Sequence, residues 1–593
     1  MTERTPPAPR AAEERNFTSH DGVSLFYRRW PATTETRRGA IVLFHRGHEH
    51  GGRMAHLVDE LNLPDFDFYA WDARGHGLSP GVRGDSPSFG HSVRDIQSFV
   101  EHLCAAFSLQ ESDIAVIAQS VGAVLASAWA HDYAPRIRCQ VLASPAFKVK
   151  LYVPFARPGL RLWRALRGNF FVNSYVKSKF LTRDQERQKS FDSDPLISRA
   201  ISVNILLGLH EAAERVVRDA EAITIPTQLL MSGDDWVVHH WPQHAFFVRL
   251  GTAEKEKHVL PGFYHDTLGE KYRADALGKA RDFLLRQFAA PLSRPSLRDE
   301  HKHGHTFEEA KNLSVPFPPL SAQGLYWSAY RLLLKLAGAV SDGVKLGHAT
   351  GFDSGSSLDY IYRNTPSGKG WLGRTIDRVY LDAIGWRGIR QRKFHLEEIL
   401  KNTMNGMAQE KRPVRILDIA AGHGRYVLDA LQYGIRPEAI LLRDFSDLNV
   451  EKGRALIAER SLQNIARFEK GDAFDRGSLA ATAPKATIGI VSGLYELFPD
   501  NDLLAASLAG LREAIEKDGY LIYTGQPWHP QLEMIARALT SHRDGAAWVM
   551  RRRTQAEMDQ LVREAGFEKI EQRIDDWGIF SVSLARRTDC SPS

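Results

Sequence analysis

The chain has 593 residues, 43% of them hydrophobic and 25% charged, with a formal net charge of +6. That length exceeds one ordinary domain, and the composition excludes a disordered, collagenous or membrane-embedded chain, so two large globular domains with full cores are expected. Three cysteines, Cys104, Cys139 and Cys590, stand far apart with neither metal-ligand spacing nor the density of a disulfide scaffold, which points to a reducing compartment, the cytoplasm.

Residues 1–16 are polar and proline-rich with no apolar run, and read as a disordered tail rather than a signal peptide. No stretch is long enough to span a bilayer, so membrane contact would be peripheral. From 17 to 288 apolar runs of strand length alternate with helical ones, the pattern of a parallel sheet covered by helices. Strands are predicted at Gly39–His45, Phe66–Asp72, Ile114–Gln119, Gln140–Ser144 and Thr227–Ser232. Residues from about 147 to 220 break the alternation and should form a cap. Between Phe147 and Lys189 eleven Lys/Arg stand against two acids. There Arg157, Arg161 and Arg164 fall on one face of a predicted helix, with Leu160, Leu162, Trp163 and Leu166 on the other. This basic amphipathic helix predicts binding to an anionic membrane surface.

Residues 289–324 turn to Pro, Ser, His and charge and read as a linker; His301, His303 and His305 lie in it, with no organised carboxylate or cysteine to make a metal site. Residues 325–412 are helical and aromatic-rich, punctuated by glycines from Gly343 to Gly388, and should cover a site on the domain that follows. From 413 to 593 the αβ alternation resumes.

Chemistry is signalled first at Gln119-Ser120-Val121-Gly122. The apolar run Ile114–Ala118 leads in and a helical run leads out, as in a strand-to-helix turn that presents a nucleophilic serine. A serine hydroxyl needs a histidine to take its proton and an acid to orient that histidine. Asp235, at the end of a strand, and His265 follow in that order, and Asp235 is preferred over its neighbour Asp234 and over Asp266 because Trp236-Val237-Val238 follows it. Donors to the developing oxyanion would be the amides of Val121 and Gly47. Around Gly47 the chain reads His45-Arg46-Gly47-His48-Glu49-His50, and further on Arg74-Gly75-His76-Gly77.

With these motifs residues 17–288 resemble the α/β-hydrolases of the monoglyceride lipase and lysophospholipase group. The resemblance implies ester hydrolysis on single-chain lipids, with a mobile cap supplying the acyl pocket. Two departures stand out: Ala118 replaces a glycine before the serine, and Arg46 replaces a glycine after the loop histidine. Arg46 has two readings, one pointing to solvent and one pairing a phosphate or carboxylate on the substrate. His45, His48 and His50 read as parts of a substrate loop and not as a metal site.

A second signature is Asp418-Ile419-Ala420-Ala421-Gly422-His423-Gly424, fed by a short strand and opening a helix. Asp444 ends the next strand 20 residues after Gly424, where a ribose-binding carboxylate belongs. Gly471-Asp472-Ala473 follows another strand. This set resembles the class I S-adenosylmethionine-dependent methyltransferases over residues 413–584. By that resemblance Asp418 and the backbone of Ala420 to Gly424, including Gly422, face the methionine end, Asp444 holds the ribose hydroxyls, and Asp472 with Ala473 holds the adenine. Where amino-group methylases carry Asn/Asp-Pro-Pro-Tyr, this chain has Ser492-Gly493-Leu494-Tyr495-Glu496, which speaks against a nucleic-acid acceptor; Tyr495, Glu496 and His529 are candidate groups around the acceptor.

The sequence therefore reads as an α/β protein of two domains, a capped α/β-hydrolase fold followed by a Rossmann-like methyltransferase fold. The expectation is a serine ester hydrolase of lipid-like substrates fused to an S-adenosylmethionine-dependent methylase, with no nucleic acid and no metal. Two alternatives stay open for the front half, an acyltransferase and a non-catalytic lipid-binding anchor.

Overall fold

A computed structural model describes residues 9–150, 155–431, 434–543 and 545–588. It divides into two compact units, Met1–Pro295 and Ser296–Ser593.

The first unit is built on strands β1 (Glu13–Thr18), β2 (Ser24–Trp30), β3 (Gly39–Phe44), β4 (Phe66–Trp71), β5 (Ile114–Gln119), β6 (Cys139–Ala143), β9 (Thr227–Ser232) and β10 (Lys255–Leu260). They form one sheet in the order β1-β2-β4-β3-β5-β6-β9-β10. The β1–β2 and β2–β4 pairs are antiparallel and every later pair is parallel. Strands β3, β4, β5, β6 and β9 are buried at every residue, as expected where helices cover both faces of a parallel sheet. Ile41, Leu43, Phe68, Ile117, Val141 and Phe283 are part of one core of this sheet. The short pair β7 (Phe171–Asn173) and β8 (Ala200–Ser202) stands apart and belongs, with helices Ala156–Arg167, Gln185–Ser193 and Val203–Arg218, to the inserted cap. The last of these helices is anchored by buried Leu207, Ala213 and Val216 and by Arg215, which donates to Asp132 across 2.9 Å. Helix Ala156–Arg167 buries no residue.

Two boundaries differ from the sequence reading. The tail assigned to residues 1–16 ends earlier, because Glu13 already pairs with Arg29 in the β1–β2 ladder. The linker assigned to residues 289–324 contains the helices Glu300–His303 and His305–Ser314, and the helix Ala322–Ala337 begins inside it. Polar composition concealed buried polar contacts: Thr306 is buried and accepts from Arg551 Nη1 across 2.8 Å, and Glu309 accepts from Arg552 Nε across 2.6 Å. His301 is likewise no solvated linker residue, since its Nε2 lies 3.2 Å from Asp500.

The second unit carries β11 (Arg415–Asp418), β12 (Ala439–Asp444), β13 (Ala466–Lys470), β14 (Ala486–Val491), β15 (Ile515–Gly525), β16 (Phe567–Ile574) and β17 (Ser581–Arg587). Their order is β13-β12-β11-β14-β15-β17-β16, parallel except for β17, which runs antiparallel to both neighbours. The direction of winding reverses between β11 and β14, so a crevice opens outside their C-terminal ends, the usual ligand position in such sheets. Helices Asp342–Thr350, Gly355–Arg363, Gly370–Leu381 and Ile384–Gln409 follow Ala322–Ala337. They share with the sheet end a core that includes Val344, Phe352, Trp386, Trp528, Trp548 and Phe580. Cys104 and Cys139 are free thiols; Cys590 lies outside the described residues.

Candidate active sites

In the first unit Ser120 sits between β5 and helix Val121–Tyr133 with φ 55° and ψ −115°. A non-glycine residue held there is strained, and the strain lifts the side chain clear of the sheet. The turn is tight because a Cβ on Gly122 would stand 2.4 Å from the His45 carbonyl oxygen. The Ser120 hydroxyl donates to His265 Nε2 across 2.7 Å, and His265 Nδ1 donates to Asp235 Oδ2 across 2.8 Å. The other oxygen of Asp235 accepts from the amides of Val237 at 2.7 Å and Val238 at 2.9 Å. All three side chains are buried. Burial opposes the charged form of Asp235, but His265 and those two amides outweigh it and hold the carboxyl below its usual value.

The neighbouring acids are otherwise engaged. Asp234 is half exposed and pairs with Arg183 at 3.1 Å. Asp266 is buried and accepts from Gln119 Nε2 at 3.0 Å and Arg187 Nε at 2.5 Å. Gly47 abuts Val121, since a Cβ on Gly47 would lie 2.9 Å from Val121 Cγ2, so the two amide-bearing residues share one wall beside the serine.

Arg46 does not point to solvent. Its Nε and Nη2 each donate to Glu49 across 2.6 Å, and Nη2 lies 3.6 Å from Asp266. Burial disfavours the guanidinium charge, yet Asp266 and Glu49 raise its pKa above the usual arginine value. The remaining Nη1 is buried and makes no hydrogen bond. His45 Nε2 accepts from the Ala73 amide at 3.0 Å and His50 Nε2 lies 3.0 Å from Asp194, so these rings hold the loop.

Ser120, His265, Arg46, Gly47 and Val121 open onto a cavity of about 510 Å³, whose other walls include Leu160, Trp163, Phe170 and Tyr175 of the cap. The basic face of helix Ala156–Arg167 is only partly free: Arg157 donates to Glu214, and Arg161 to Glu211 at 3.1 Å. Beside the exposed Arg164 and Arg167 the helix also exposes apolar side chains, Leu162 at 63% and Leu166 at 72%, with Phe155, just before it, 86% exposed.

In the second unit the glycine turn follows β11. Gly422 and Gly424 have φ of 57° and 73°, which favour glycine. Asp444 closes the turn, accepting from the Gly422 amide at 2.9 Å and, on its other oxygen, from the Ser446 amide at 2.9 Å and Asn449 Nδ2 at 3.0 Å. Asp418 does not face the cleft as expected. It is wholly buried, with Oδ2 accepting from the Tyr426 hydroxyl at 2.5 Å and Oδ1 from the Ala420 amide at 3.2 Å, so it ties the turn to the helix behind it. Burial pushes its carboxyl up to about 7. Asp472 follows β13 and accepts from the Phe474 amide at 2.9 Å, with Ala473 buried beside it.

Of the groups expected near an acceptor, Tyr495 is taken up by structure: its hydroxyl donates to Ser507 at 2.9 Å in the core. Glu496 and His529 line a cavity of about 420 Å³ under the helical segment, with Arg392 and Gln526.

Residues 280–587 match the family model described as "Putative methyltransferase", and residues 35–272 match that described as "Serine aminopeptidase, S33". Over 576 residues, covering 97% of this chain and 98% of the other, the chain is 57% identical to the "Uncharacterized protein YnbC" of Escherichia coli K12. It belongs to that methyltransferase family. The front unit alone is 27% identical to human monoglyceride lipase over 271 residues, 44% of this chain and 86% of the lipase. It is 25% identical to the monoacylglycerol lipase of Mycolicibacterium smegmatis over 264 residues, 43% of this chain and 91% of that one. The chain is a fusion of an α/β-hydrolase domain with a methyltransferase domain.

Arg392 and Gln526 escaped the sequence reading. The available signal for Arg392 was an arginine on the buried stripe of a long helix, three residues after Ile389 and four before Leu396. Nothing local marked Gln526, which is selected only by its position just beyond β15.

Proposed function

We propose that the front unit is a serine hydrolase of lipid-like monoacyl esters, of monoglyceride or lysophospholipid type, and that the back unit takes its methyl group from S-adenosylmethionine. The observation that carries the first part is the unbroken Ser120–His265–Asp235 chain at the wall of an apolar cavity. His265 takes the Ser120 proton as Oγ attacks the ester carbonyl, Asp235 keeps the imidazole in the tautomer with Nε2 free to accept, and the amides of Gly47 and Val121 receive the oxyanion. His265 then returns the proton to the leaving alcohol, and a water activated by the same imidazole releases the fatty acid from Ser120. The cap's Leu160, Trp163 and Phe170 suit one acyl chain. Arg46, already neutralised by Glu49 and Asp266, offers Nη1 to an oxygen of the head group rather than a full charge to a free anion. Hydrolysis of 1-monooleoylglycerol by the full chain tests this reading; turnover of a short soluble ester with none of the monoglyceride would sink the lipid assignment.

For the methyl donor the residues fit. A Cβ on Gly422 would meet nothing nearer than Gly355 Cα at 3.8 Å, so the turn leaves an open cradle, and Asp444 stands over it. Asp444 would hold the ribose hydroxyls, Asp472 and Ala473 the adenine, and the backbone from Ala420 to Gly424 the methionine end. When bound, the sulfonium supplies an electrophilic methyl carbon. Asp444→Ala is expected to weaken S-adenosylmethionine binding by about 1.5–3 kcal/mol in a calorimetric titration. The same change at Asp447, exposed and paired with Lys470, should do much less; equal losses would undo the ribose assignment.

The cap would rest on the cytoplasmic face of an anionic membrane. No helix among the described residues is long and apolar enough to cross one. Because Arg157 and Arg161 are paired within the cap, attraction would come from its remaining cations, and insertion from Phe155, Leu162 and Leu166. Replacing Leu162 and Leu166 with serine should reduce co-sedimentation with anionic vesicles severalfold and leave hydrolysis of a soluble ester intact; unchanged sedimentation would remove the docking role.

A further inference from the structure

We propose that the cavity of the second unit is the methyl-acceptor site, that it takes an apolar molecule whose nucleophile is a hydroxyl group, and that Glu496 is the general base. The proposal rests on reading this unit as a methyltransferase and adds the acceptor's chemical class.

The cavity holds about 420 Å³, enough for a small lipid or a polycyclic body. Its walls are made largely by Phe352, Tyr380, Trp386, Trp548, Met550 and Phe580, surfaces that favour an apolar guest. Two of the helices that line it also expose apolar side chains. Helix Ala322–Ala337 lends Leu334 to the cavity and exposes Leu332, Leu333 and Leu336, and Val379 of helix Gly370–Leu381 both lines the cavity and is exposed. A water-loving acceptor would gain nothing from such a rim.

One part of the wall is polar, and it is unsatisfied. Glu496, Arg392 and Gln526 are each more than nine-tenths buried. Glu496 Oε1 accepts from Thr524 Oγ1 at 2.8 Å and lies 3.5 Å from Arg392 Nη1, whereas Oε2 has no partner. Gln526 Nε2 and Arg392 Nε have none either. Buried polar atoms without partners are rare and costly in folded proteins, and several on one cavity wall mark the place of a ligand's polar group. These residues follow β14 and β15 or face them, at the C-terminal sheet ends beside the crevice where the methyl donor would lie.

The unmet atoms include one acceptor on a carboxylate and amide or guanidinium donors. A hydroxyl satisfies both kinds, donating to Glu496 Oε2 and accepting from Gln526 Nε2. A carboxylate guest would meet the Glu496 charge, and an ammonium would meet Arg392. His529 adds a neutral ring: its Nδ1 accepts from the Gln531 amide at 3.1 Å, and burial pushes its pKa down to about 3. In the transfer, the hydroxyl proton passes to Glu496 Oε2 as the oxygen forms a bond to the methyl carbon. The carbon–sulfur bond of the sulfonium breaks, its electron pair stays on sulfur to give a thioether, and the product is a methyl ether.

The test uses the full chain and equilibrium dialysis of radiolabelled decan-1-ol and decane. Leu334→Trp and Ile376→Trp each fill this cavity from a partly exposed position and leave the first unit's cavity unchanged. The native chain should bind one more equivalent of decan-1-ol than either variant, and should bind it about tenfold tighter than decane at that site, the worth of one to two hydrogen bonds. Gln526→Leu and Glu496→Leu should each erase most of that preference. Equal stoichiometry in the native chain and both tryptophan variants would overturn the site, and equal affinity for alcohol and alkane would overturn the hydroxyl. A parallel calorimetric titration with S-adenosylmethionine separates the two readings: failure to bind it, with the decanol site intact, would count against the methyltransferase reading alone.

Discussion

Replacing Ser120 with alanine is expected to abolish ester hydrolysis, by about six orders of magnitude in kcat, while S-adenosylmethionine binding stays at the native value. The loss follows from chemistry rather than folding. Ser120 is a small side chain on a backbone already fixed by β5 and the helix after it, and its amide still donates to the Ala143 carbonyl at 2.9 Å when the hydroxyl is gone. No other hydroxyl accompanies His265 Nε2 among the described hydrogen bonds, so nothing nearby replaces the nucleophile. The second activity should survive because the two units form separate cores. Steady-state hydrolysis of a monoacylglycerol alongside calorimetry reads both halves. Simultaneous loss of both would contradict independent domains.

Asp235→Asn is expected to lower kcat by about four orders of magnitude, because an amide at this position can donate to His265 Nδ1 and stabilise the wrong tautomer. The native carboxylate accepts on both oxygens, from His265 on one and from Val237 and Val238 on the other. An asparagine keeps the shape and can keep the backbone bonds, so the protein should remain folded while the imidazole loses its orientation. Asp234→Asn is the internal control: its carboxylate points outward to Arg183, and the rate should change by no more than a fewfold, the ordinary effect of an exposed ion pair. A silent Asp235→Asn with a crippled Asp234→Asn would reverse the assignment of the acid.

The front site was legible in the sequence because its parts are local signatures. An apolar strand, a serine and a small-residue helix fix the turn, and the strand end before Asp235 and the loop before His265 carry the partners to it. The strand runs read at Ile114–Gln119 and Thr227–Ser232 coincide with β5 and β9. Arg46 was not legible. Whether a guanidinium is buried depends on Glu49 and on Asp266, which is 220 positions away, and only the fold brings the latter within 3.6 Å. The same holds for Thr306 and Glu309: a hydrophilic stretch looked like linker because their partners, Arg551 and Arg552, lie near the other end of the unit. In the back half the Gly422–Gly424 turn and Asp444 were readable from spacing, whereas Asp418 was misplaced because its partner, Tyr426, turns the carboxylate inward. The cavity of the second unit is assembled from six helices and three strand ends, and no spacing rule reports such a surface.

The most direct test of the central claim, that this chain presents an activated serine beneath a lipid-sized pocket, is intact-mass and peptide mapping of the native protein after treatment with a long-chain alkyl fluorophosphonate. A single adduct is expected, on the peptide carrying Ser120, formed in the native chain, absent from Ser120→Ala and strongly slowed in His265→Ala. An unmodified native protein, or an adduct on another residue that persists in Ser120→Ala, would contradict it.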